Sequence, residues 1–436
     1  FNNLAGKSLQ LGSIGISYLI IGLLLIGLFV GFASGSYPAF FLSSFKPVDV
    51  LKSGAMRGIR GSYLRNILVT FQFIVTIVLF ICTIVVNRQM TYIQNKDLGF
   101  DKENLLVIDR AYVLGEQFDA FQQELLKNPT ILQVSSSSAV PGGLIGDNAY
   151  LPEGAGTDET HAINNIFADW HFMETYGLEL IEGRWFQEDN PTDSFALIIN
   201  ESAVRALGFE DPLNKRLYTS LGDDNEASQP IIGVIKDFNF QSLHQEIRPL
   251  VIKFAGDRTT QLSVRISGIQ TGKTLEFIED TWNSFMEEQP VHMTFLEEDL
   301  SALYQNDEKS ATVFSIFSIL AIFIASLGLF GLTLYNSQKR IREIGIRKVL
   351  GATETGIVTL VSKNVINAVV VSIAIALPAA FFITRSWLQD FPYNVGFQPL
   401  IFVYAAFMVV IIALITVAVT SLNAARTNPA ICLHYE

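Results

Sequence analysis

Long apolar stretches alternate with polar ones along this 436-residue chain. Because about 20 apolar residues in a helix cross the hydrocarbon core of a bilayer, each stretch of that length is predicted to be a membrane span. Five stretches reach this length, and none of them contains Asp, Glu, Lys or Arg. The predicted spans are Ser13–Gly35, Ile67–Asn87, Ala311–Leu334, Val365–Thr384 and Pro399–Leu422.

The polar region between the second and third predicted spans is long enough to form a domain of its own. Runs rich in β-branched residues and bounded by turn residues indicate strands at Leu105–Ile108, Ile131–Ser136, Ala196–Ile199, Pro230–Ile235 and Leu262–Ile266. Predicted helices are Gln117–Leu126, Glu201–Leu207 and Lys273–Glu288. The predicted fold is an α-helical transmembrane bundle of five spans with an inserted α+β extracytoplasmic domain.

Two stretches that join this domain to the membrane lack helix breakers. Residues 62–98 and 291–327 contain neither Gly nor Pro, and Thr294-x-x-Glu297 has the form of a capping box that starts a helix. Helices of this length extend about 55 Å, against about 30 Å for the hydrocarbon core. The outer domain is therefore expected to stand on two helical stalks. The alternative is a pair of ordinary spans with polar extensions.

Charge is divided between two environments. The region 88–309 has 16 Lys and Arg residues against 37 Asp and Glu residues, a net charge of −21, whereas the remainder of the chain has a net charge of +9. Basic residues concentrate in 36–66 and 335–364, and the positive-inside rule places both loops in the cytoplasm. The acidic region then lies outside, and the tail after the last span lies inside.

Candidate catalytic chemistry is sparse. Ser267–Thr274 resembles a phosphate-binding P-loop, but a Ser stands where the first Gly is needed, so a turn that leads into a helix is the better interpretation. The outer histidines form no metal-ligand pair at helical or hairpin spacing, and Asp169-x-His171 alone is a weak pattern. No Ser lies in a nucleophile elbow, and basic clusters occur only beside the membrane. The sequence predicts no catalytic, cofactor or metal site and no nucleic-acid partner.

Several stretches together resemble one family. Arg342–Thr353, after a predicted span, is similar to the motif of FtsX-like, MacB-type permeases of ABC transporters. Further matching stretches are Gly183–Phe186, Ile198–Glu201, Ala206–Gly208, Ile232–Phe238 and Asn428–Glu436. Together these stretches span residues 36–436, nearly the whole chain.

The resemblance implies a permease unit of one helix, a large periplasmic domain and three further helices in the bacterial inner membrane. Five spans then correspond to the end of one unit followed by a complete second unit, as in double-unit, eight-span permeases. A second permease unit is expected upstream of Phe1 or in trans. A similarity between Phe45–Leu51 and Thr427–Leu433, each just after a span, agrees with a duplicated unit. The simpler alternative is that Pro commonly follows a helix end.

On this basis the chain divides into eight segments. They are the last span of a first permease unit (1–35), a cytoplasmic linker (36–66), a span and stalk helix (67–98), the periplasmic MacB-like α+β domain (99–293), a stalk helix and span (294–334), a cytoplasmic coupling segment (335–364), the last two spans (365–422) and a cytoplasmic tail (423–436).

The resemblance also implies where a partner docks. Permeases of this family work with a separate cytoplasmic ATPase, which binds ATP and Mg²⁺ and contacts a short coupling helix of the permease. That helix corresponds to Lys339–Ala352, where Gly351 is placed as a C-cap and Thr353 as the start of the next helix. The predicted ATPase-coupling residues are Lys339, Arg340, Arg342, Glu343, Ile344, Ile346, Arg347, Lys348, Leu350 and Gly351. A basic loop that only sets topology is the alternative.

Two functional hypotheses follow. The first is a non-catalytic permease subunit that transmits the ATP-driven motion of a dimeric ATPase to its periplasmic domain, for export, release or cell-envelope remodelling. A periplasmic adaptor, a lipoprotein or a hydrolase is then the expected outer partner. The second is a membrane-anchored extracytoplasmic sensor or binding module that signals without ATP. Co-purification of a subunit with Walker motifs distinguishes the two.

Overall fold

The computed structural model divides the chain into two compact units. The helical unit comprises 1–90, 306–389 and 395–436, and the α+β unit comprises 91–305 and 390–394. The residues that the structure describes are 16–43, 59–156, 159–219, 227–256, 259–339, 343, 346–347 and 349–425.

Ten α-helices occur in these described residues. They are α1 (Ile16–Ser43), α2 (Ile59–Gln94), α3 (Phe118–Leu125), α4 (Phe172–Tyr176), α5 (Glu201–Leu207), α6 (Thr271–Phe285), α7 (Leu296–Leu303), α8 (Gln305–Lys339), α9 (Glu354–Leu388) and α10 (Pro399–Ala425). Four helices are long and apolar enough to cross a membrane, over Arg65–Gln94, Gln305–Lys339, Val365–Leu388 and Pro399–Thr420. They coincide with four of the five predicted spans. The apolar stretch Ser17–Phe32 of α1 is shorter, so the fifth span stays a prediction.

The core of the helical unit follows from a repeat of four residues along α2. Val69, Phe73, Ile77, Ile81 and Val85 are all buried. Residues four apart lie on one face of a helix, and this stripe shares one apolar cluster with residues of α8, α9 and α10. The last two helices contribute small buried residues, Ala376, Ala380, Ala405 and Ala413. Small side chains let helix backbones approach closely in a membrane.

The α+β unit is built on one eleven-stranded sheet. Its strands are β1 (Leu105–Asp109), β2 (Ile131–Ser137), β3 (Asp147–Pro152), β4 (His161–Ala168), β5 (Leu180–Gly183), β6 (Leu197–Asn200), β7 (Arg216–Thr219), β8 (Ala227–Ile235), β9 (Leu250–Phe254), β10 (Gln261–Ile266) and β11 (Met293–Phe295). Their order is β11-β1-β10-β2-β4-β3-β7-β8-β6-β9, with β5 beside β8.

Part of this sheet closes on itself. Strand β9 pairs in parallel with β4 as well as antiparallel with β6, so β4, β3, β7, β8, β6 and β9 form a ring. All six strands contribute buried apolar residues to one cluster, including Tyr150, Ile163, Leu197, Leu217 and Val251. Closure gives each of these strands a neighbour on both sides, which removes free edges from the ring.

Four of the remaining strands form an antiparallel sheet in the order β11-β1-β10-β2. Helices α3 and α6 cover one face of it, where the rings of Phe121 and Trp282 meet edge to face at 5.6 Å. The opposite face of β1 packs in a second cluster with α4 through Phe172 and Tyr176. Ser137 of β2 pairs with Ala168 of β4 and so joins this sheet to the ring.

The predicted strands and helices of this unit are confirmed, with ends that differ by a few residues. The sequence pattern does not indicate β3, β4, β5, β7, β9 or β11. In β4 the alternation of apolar residues is interrupted by Asn164 and Asn165, which are nevertheless buried. Asn165 accepts a hydrogen bond from the Tyr150 hydroxyl at 3.0 Å, and this satisfied contact makes its burial possible.

The predicted start of the second stalk is wrong. Thr294 lies in β11, and α7 begins at Leu296 without a side-chain cap. The Thr294 hydroxyl instead lies 2.7 Å from the Asp299 carboxylate, because pairing of β11 with β1 takes Thr294 into the sheet. A break follows at Tyr304, between α7 and α8, so residues 294–334 are not one helix. The other proposed segment limits stay predictions.

Candidate functional site

The predicted coupling segment follows the C-terminal end of α8. Of its ten predicted interface residues, Lys339, Glu343, Ile346, Arg347, Leu350 and Gly351 are described, whereas Arg340, Arg342, Ile344 and Lys348 lie outside the described residues. The structure brings two of them together: the Arg347 guanidinium lies 2.9 Å from the Glu343 carboxylate, one helical turn away. An ion pair at this spacing supports helical structure.

The segment ends in a helix C-cap. Gly351 has φ of +90°, and the N–H of Ala352 donates to the carbonyl of Arg347 at 2.9 Å. This hydrogen bond, together with the left-handed glycine, is the pattern of a Schellman cap. Two residues later, the Thr353 hydroxyl accepts from the N–H of Gly356 at 3.3 Å and caps the start of α9. Both predicted caps are confirmed.

Apolar side chains are exposed on this turn. Ile346, Val349 and Leu350 expose 50%, 66% and 80% of their surface, beside the charged pair of Glu343 and Arg347. The Gly351 cap ends the turn, and its apolar side chains point away from the described core. This arrangement is typical of a surface that another molecule covers.

Polar side chains line the contact between α2 and α8. This polar seam consists of Gln72, Thr76, Thr83 and Asn87 of α2, at spacings of four, seven and four that place them on one helix face. The Thr76 hydroxyl lies 3.2 Å from the carbonyl of Ala321. The Thr83 hydroxyl lies 2.6 Å from the Ser318 hydroxyl. This spacing is visible in the sequence, but the helix that the four side chains contact is not.

The seam includes one close approach of a side chain to backbone. Gln72 Nε2 donates to the carbonyl of Ile324 at 3.4 Å, and a Cβ on Gly328 would lie 2.4 Å from Gln72 Oε1. Nothing lies within 4 Å of a Cβ placed on Gly331. Of the two glycines in this part of α8, Gly328 is the one that makes room for the neighbouring helix.

Two of the stretches that carry the family resemblance meet between β5 and β8. Gly183 and Gly233 are paired in register. A Cβ on Gly183, which has φ of +78°, would lie 2.2 Å from the carbonyl oxygen of Ile232, and one on Gly233 would lie 2.4 Å from that of Arg184. Both positions therefore require glycine, because the two backbones approach too closely for a side chain.

The residue after Gly183 forms an ion pair with a buried carboxylate. Both terminal nitrogens of the Arg184 guanidinium lie 2.6 Å from the two Asp193 carboxylate oxygens. Asp193 is 1% exposed and also accepts from the N–H of Gln187. The hydrogen bonds from Arg184 hold the pKa of Asp193 below its ordinary value, although burial opposes this. The Arg184–Asp193 ion pair connects the end of β5 to the turn before β6.

A third stretch of the resemblance is tied to the same region. The Asn200 side chain caps α5 by accepting from the N–H of Ala203 at 2.9 Å. Asp237 accepts from the N–H and hydroxyl of Ser202, and its own N–H donates to the Glu201 carboxylate at 3.0 Å. These residues have structural roles: they fix the start of α5 against the end of β8.

Asp169 has a structural role too. Its buried carboxylate accepts from the Ser135 hydroxyl at 2.7 Å, from the N–H of Ser136 at 2.6 Å and from the N–H of His171 at 3.0 Å. Burial raises its pKa, although these hydrogen bonds oppose the shift.

Among the described residues, no group of three or more His, Cys, Asp and Glu side chains is arranged to hold a metal ion.

The P-loop-like stretch is a turn before a helix, as predicted. Helix α6 starts at Thr271, so Lys273 and Thr274 lie in its first turn. Thr274 is buried, and its hydroxyl lies 2.8 Å from that of Thr130. The hydroxyl is therefore used inside the fold and is not presented to a phosphate.

The helices on both sides of the capped turn are similar to those of a known family. Residues 315–429 match the family model of the FtsX-like permease C-terminal region. This part of the chain is therefore similar to FtsX-like permeases. It contains most of α8, the coupling segment, α9 and most of α10. The resemblance predicted from the sequence is confirmed.

Two solved structures are each similar to about half of this chain. The periplasmic region of MacB from Actinobacillus actinomycetemcomitans is 14% identical, covers 49% of this chain and 98% of its own, and has a TM-score of 0.35. The extracellular domain of the noncanonic ABC-type transporter YknZ from Gram-positive bacteria is 15% identical, covers 48% of this chain and 94% of its own, and has a TM-score of 0.31. No curated protein matches the chain.

Proposed function

We propose that the chain is the membrane permease subunit of an ABC-type complex in the bacterial inner membrane, with its α+β unit in the periplasm. In this proposal it transmits the ATP-driven motion of a separate cytoplasmic ATPase to the α+β unit. The ATPase binds ATP and Mg²⁺, and the chain provides the mechanical connection. The FtsX-like permease region supports the membership, and the capped turn at 343–353 carries the coupling role.

The capped turn suits force transmission because only a short connection joins it to α9. Leu350, exposed on the turn, is followed at once by the Gly351 cap, and Thr353 starts α9. Movement of a partner bound to Ile346, Val349 and Leu350 would therefore displace the start of α9. The exposed Glu343–Arg347 ion pair adds about 0.2–0.5 kcal/mol to the helical structure of the turn.

The polar seam extends this connection to α2. Thr76 and Thr83 contact α8 through hydroxyl groups, and Ser372 of α9 donates to the carbonyl of Thr70 at 3.0 Å. Helices that share such contacts move together more readily than helices separated by lipid. Both α8 and α9 therefore contact α2 within the helical unit, through weak hydrogen bonds that permit small adjustments.

Purification of the native complex in mild detergent tests this proposal against the sensor hypothesis. We expect a subunit with Walker motifs in fixed stoichiometry with the chain. The double variant Val349→Ser/Leu350→Ser should lose that subunit because it removes exposed apolar contacts. Val403→Ser, at an equally exposed position of α10, should retain it.

A chain that purifies without any such subunit would contradict the proposal and favour a sensor that signals without ATP. Equal retention of the ATPase by Val349→Ser/Leu350→Ser and by the wild type would leave the family membership intact but refute docking at this turn.

A further inference from the structure

The short connection between α9 and α10 is anchored in the α+β unit. Asp390–Asn394 belong to that unit, although α9 ends at Leu388 and α10 begins at Pro399. Phe391 is only 4% exposed, and its ring lies 4.7 Å from the ring of His244. A surface connection needs no buried aromatic residue, so this burial requires an explanation.

Tyr393 is the second anchor. The ammonium group of Lys96 lies 4.2 Å from the centre of its ring, within the range of a cation–π contact. Its hydroxyl hydrogen-bonds with the backbone of Ile247, and burial raises the pKa of this hydroxyl. Asn394 Nδ2 closes the turn by donating to the carbonyl of Phe391 at 3.0 Å. Two aromatic side chains, two residues apart, thus engage one loop of the α+β unit.

That loop, residues 239–248, also contacts the chain just after α2 and just before α8. The N–H of Asn239 donates to the carbonyl of Leu98, just after α2, at 2.7 Å. The N–H of Leu243 donates to the hydroxyl of Tyr304, which lies between α7 and α8, at 2.8 Å. The His244 ring is 5.9 Å from the Tyr304 ring, so His244 is placed between Tyr304 and Phe391.

Within the helical unit, the residue after Asn394 is fixed as well. The N–H of Val395 donates to Gln89 Oε1 at 3.0 Å, and Gln89 is fully buried. The connection is therefore ordered immediately before and after the point where it changes units.

We infer that Phe391 and Tyr393 form a third force-bearing attachment of the α+β unit, beside the two stalks, and that the 239–248 loop gathers all three. This inference rests on the proposed function, since force requires a partner ATPase. Phe391 and Tyr393 are thus positioning residues: they pass motion of α9 and α10 to the 239–248 loop.

Hydrogen–deuterium exchange of residues 239–248 tests this inference in the purified complex with its ATPase. The wild type is compared with and without ATP and vanadate, and Phe391→Ala is compared in the same way. Without nucleotide, Phe391→Ala should speed exchange of this loop about tenfold or more, because it removes a buried aromatic contact. Phe391→Leu should restore slow exchange, and Phe407→Ala, at an exposed position of α10, should change nothing.

The nucleotide response separates a force-bearing role from a merely stabilising one. Nucleotide should change exchange of 239–248 in the wild type and in Phe391→Leu, and at least about fivefold less in Phe391→Ala, while basal ATP hydrolysis stays the same. An undiminished response in Phe391→Ala would overturn the inference and leave the proposed function standing. The absence of any response in the wild type would overturn both.

Discussion

The two units accommodate buried polar groups in different ways. In the α+β unit, a buried carboxylate is matched by an opposite charge, as Asp193 is by the partly exposed Arg184. Between α2 and α8, polar contacts use hydroxyl and amide groups, as in Thr76, Thr83 and Gln72. An unmatched charge in hydrocarbon is costly, whereas interhelical hydrogen bonds in membranes contribute only about 0.6 kcal/mol on average.

This difference has a mechanical consequence. Bidentate ion pairs and close backbone contacts resist small displacements, because a shift of an ångström breaks them. The Thr76 hydroxyl also donates to the carbonyl of Gln72 in its own helix. A hydroxyl group with such a bond loses little hydrogen-bond energy when the neighbouring helix slides. The α+β unit is therefore built to move as a body, and the helical unit is built to adjust.

The largest effect is expected for Gly183→Ala. The new Cβ would lie 2.2 Å from a backbone oxygen, so β5 and β8 must separate, and the free energy of unfolding should fall by about 3 kcal/mol or more. Thermal unfolding followed by tryptophan fluorescence measures this, since Trp185 lies two residues away. Gly154→Ala is the matched control: it has φ of +83° but open space around its Cβ, so only about 1–2 kcal/mol of backbone strain is expected.

The next effect is expected for Asp193→Asn, which removes the charge-assisted bonds to Arg184. We expect a loss of about 2–3 kcal/mol at neutral pH. Because the pKa of Asp193 is lowered in the folded protein, its stabilisation is present above the usual carboxyl pKa of about 4 and is lost as pH falls through the lowered value. The variant should therefore lose less stability than the wild type on acidification. Glu188→Gln, an exposed neighbour, should behave as the wild type.

A smaller effect is expected for Gly328→Ala in the helical unit. The Cβ would meet the end of the flexible Gln72 side chain, which can turn away, so the loss should be about 1 kcal/mol. Gly331→Ala, where nothing lies within 4 Å, should be neutral. Unfolding of the detergent-solubilised chain in urea provides the comparison. A loss as large as that of Gly183→Ala would contradict the view that this unit adjusts.

The smallest effect is expected for Thr83→Val. It removes the contacts to Ser318 and to the carbonyl of Phe314, for which about 0.6 kcal/mol is the usual value in membranes. Thr416→Val on α10 is the control, because the bond of its hydroxyl goes to Ile412 of the same helix. The same urea unfolding experiment measures both. Equal losses would show that the seam adds no stability between helices.

Local signals made parts of the structure predictable from sequence. Helix α5 has its predicted limits, because Asn200 caps its start and Gly208, with φ of +66°, ends it. The caps at Gly351 and Thr353 were predictable for the same reason. Each depends on residues within one or two helical turns.

Features that depend on distant partners could not be predicted in this way. The capping-box pattern at Thr294 is a valid local signal, but pairing of β11 with β1 overrides it. The closure of the strand ring depends on the pairing of β4 with β9, and no pattern within β4 itself indicates it. The attachment of Phe391 to His244 likewise joins residues far apart in the chain.

The central claim is that the capped turn receives force from an ATPase, and ATP hydrolysis by the purified complex tests it most directly. Reversal of charge at Arg342, Arg347 and Lys348 should abolish stimulated hydrolysis and leave the chain folded. The exchange Glu343→Arg/Arg347→Glu keeps the ion pair of the turn but moves its charges, so it should also lose stimulation. Lys273→Glu, in the first turn of α6, should retain it. Unchanged hydrolysis in both turn variants would contradict the account.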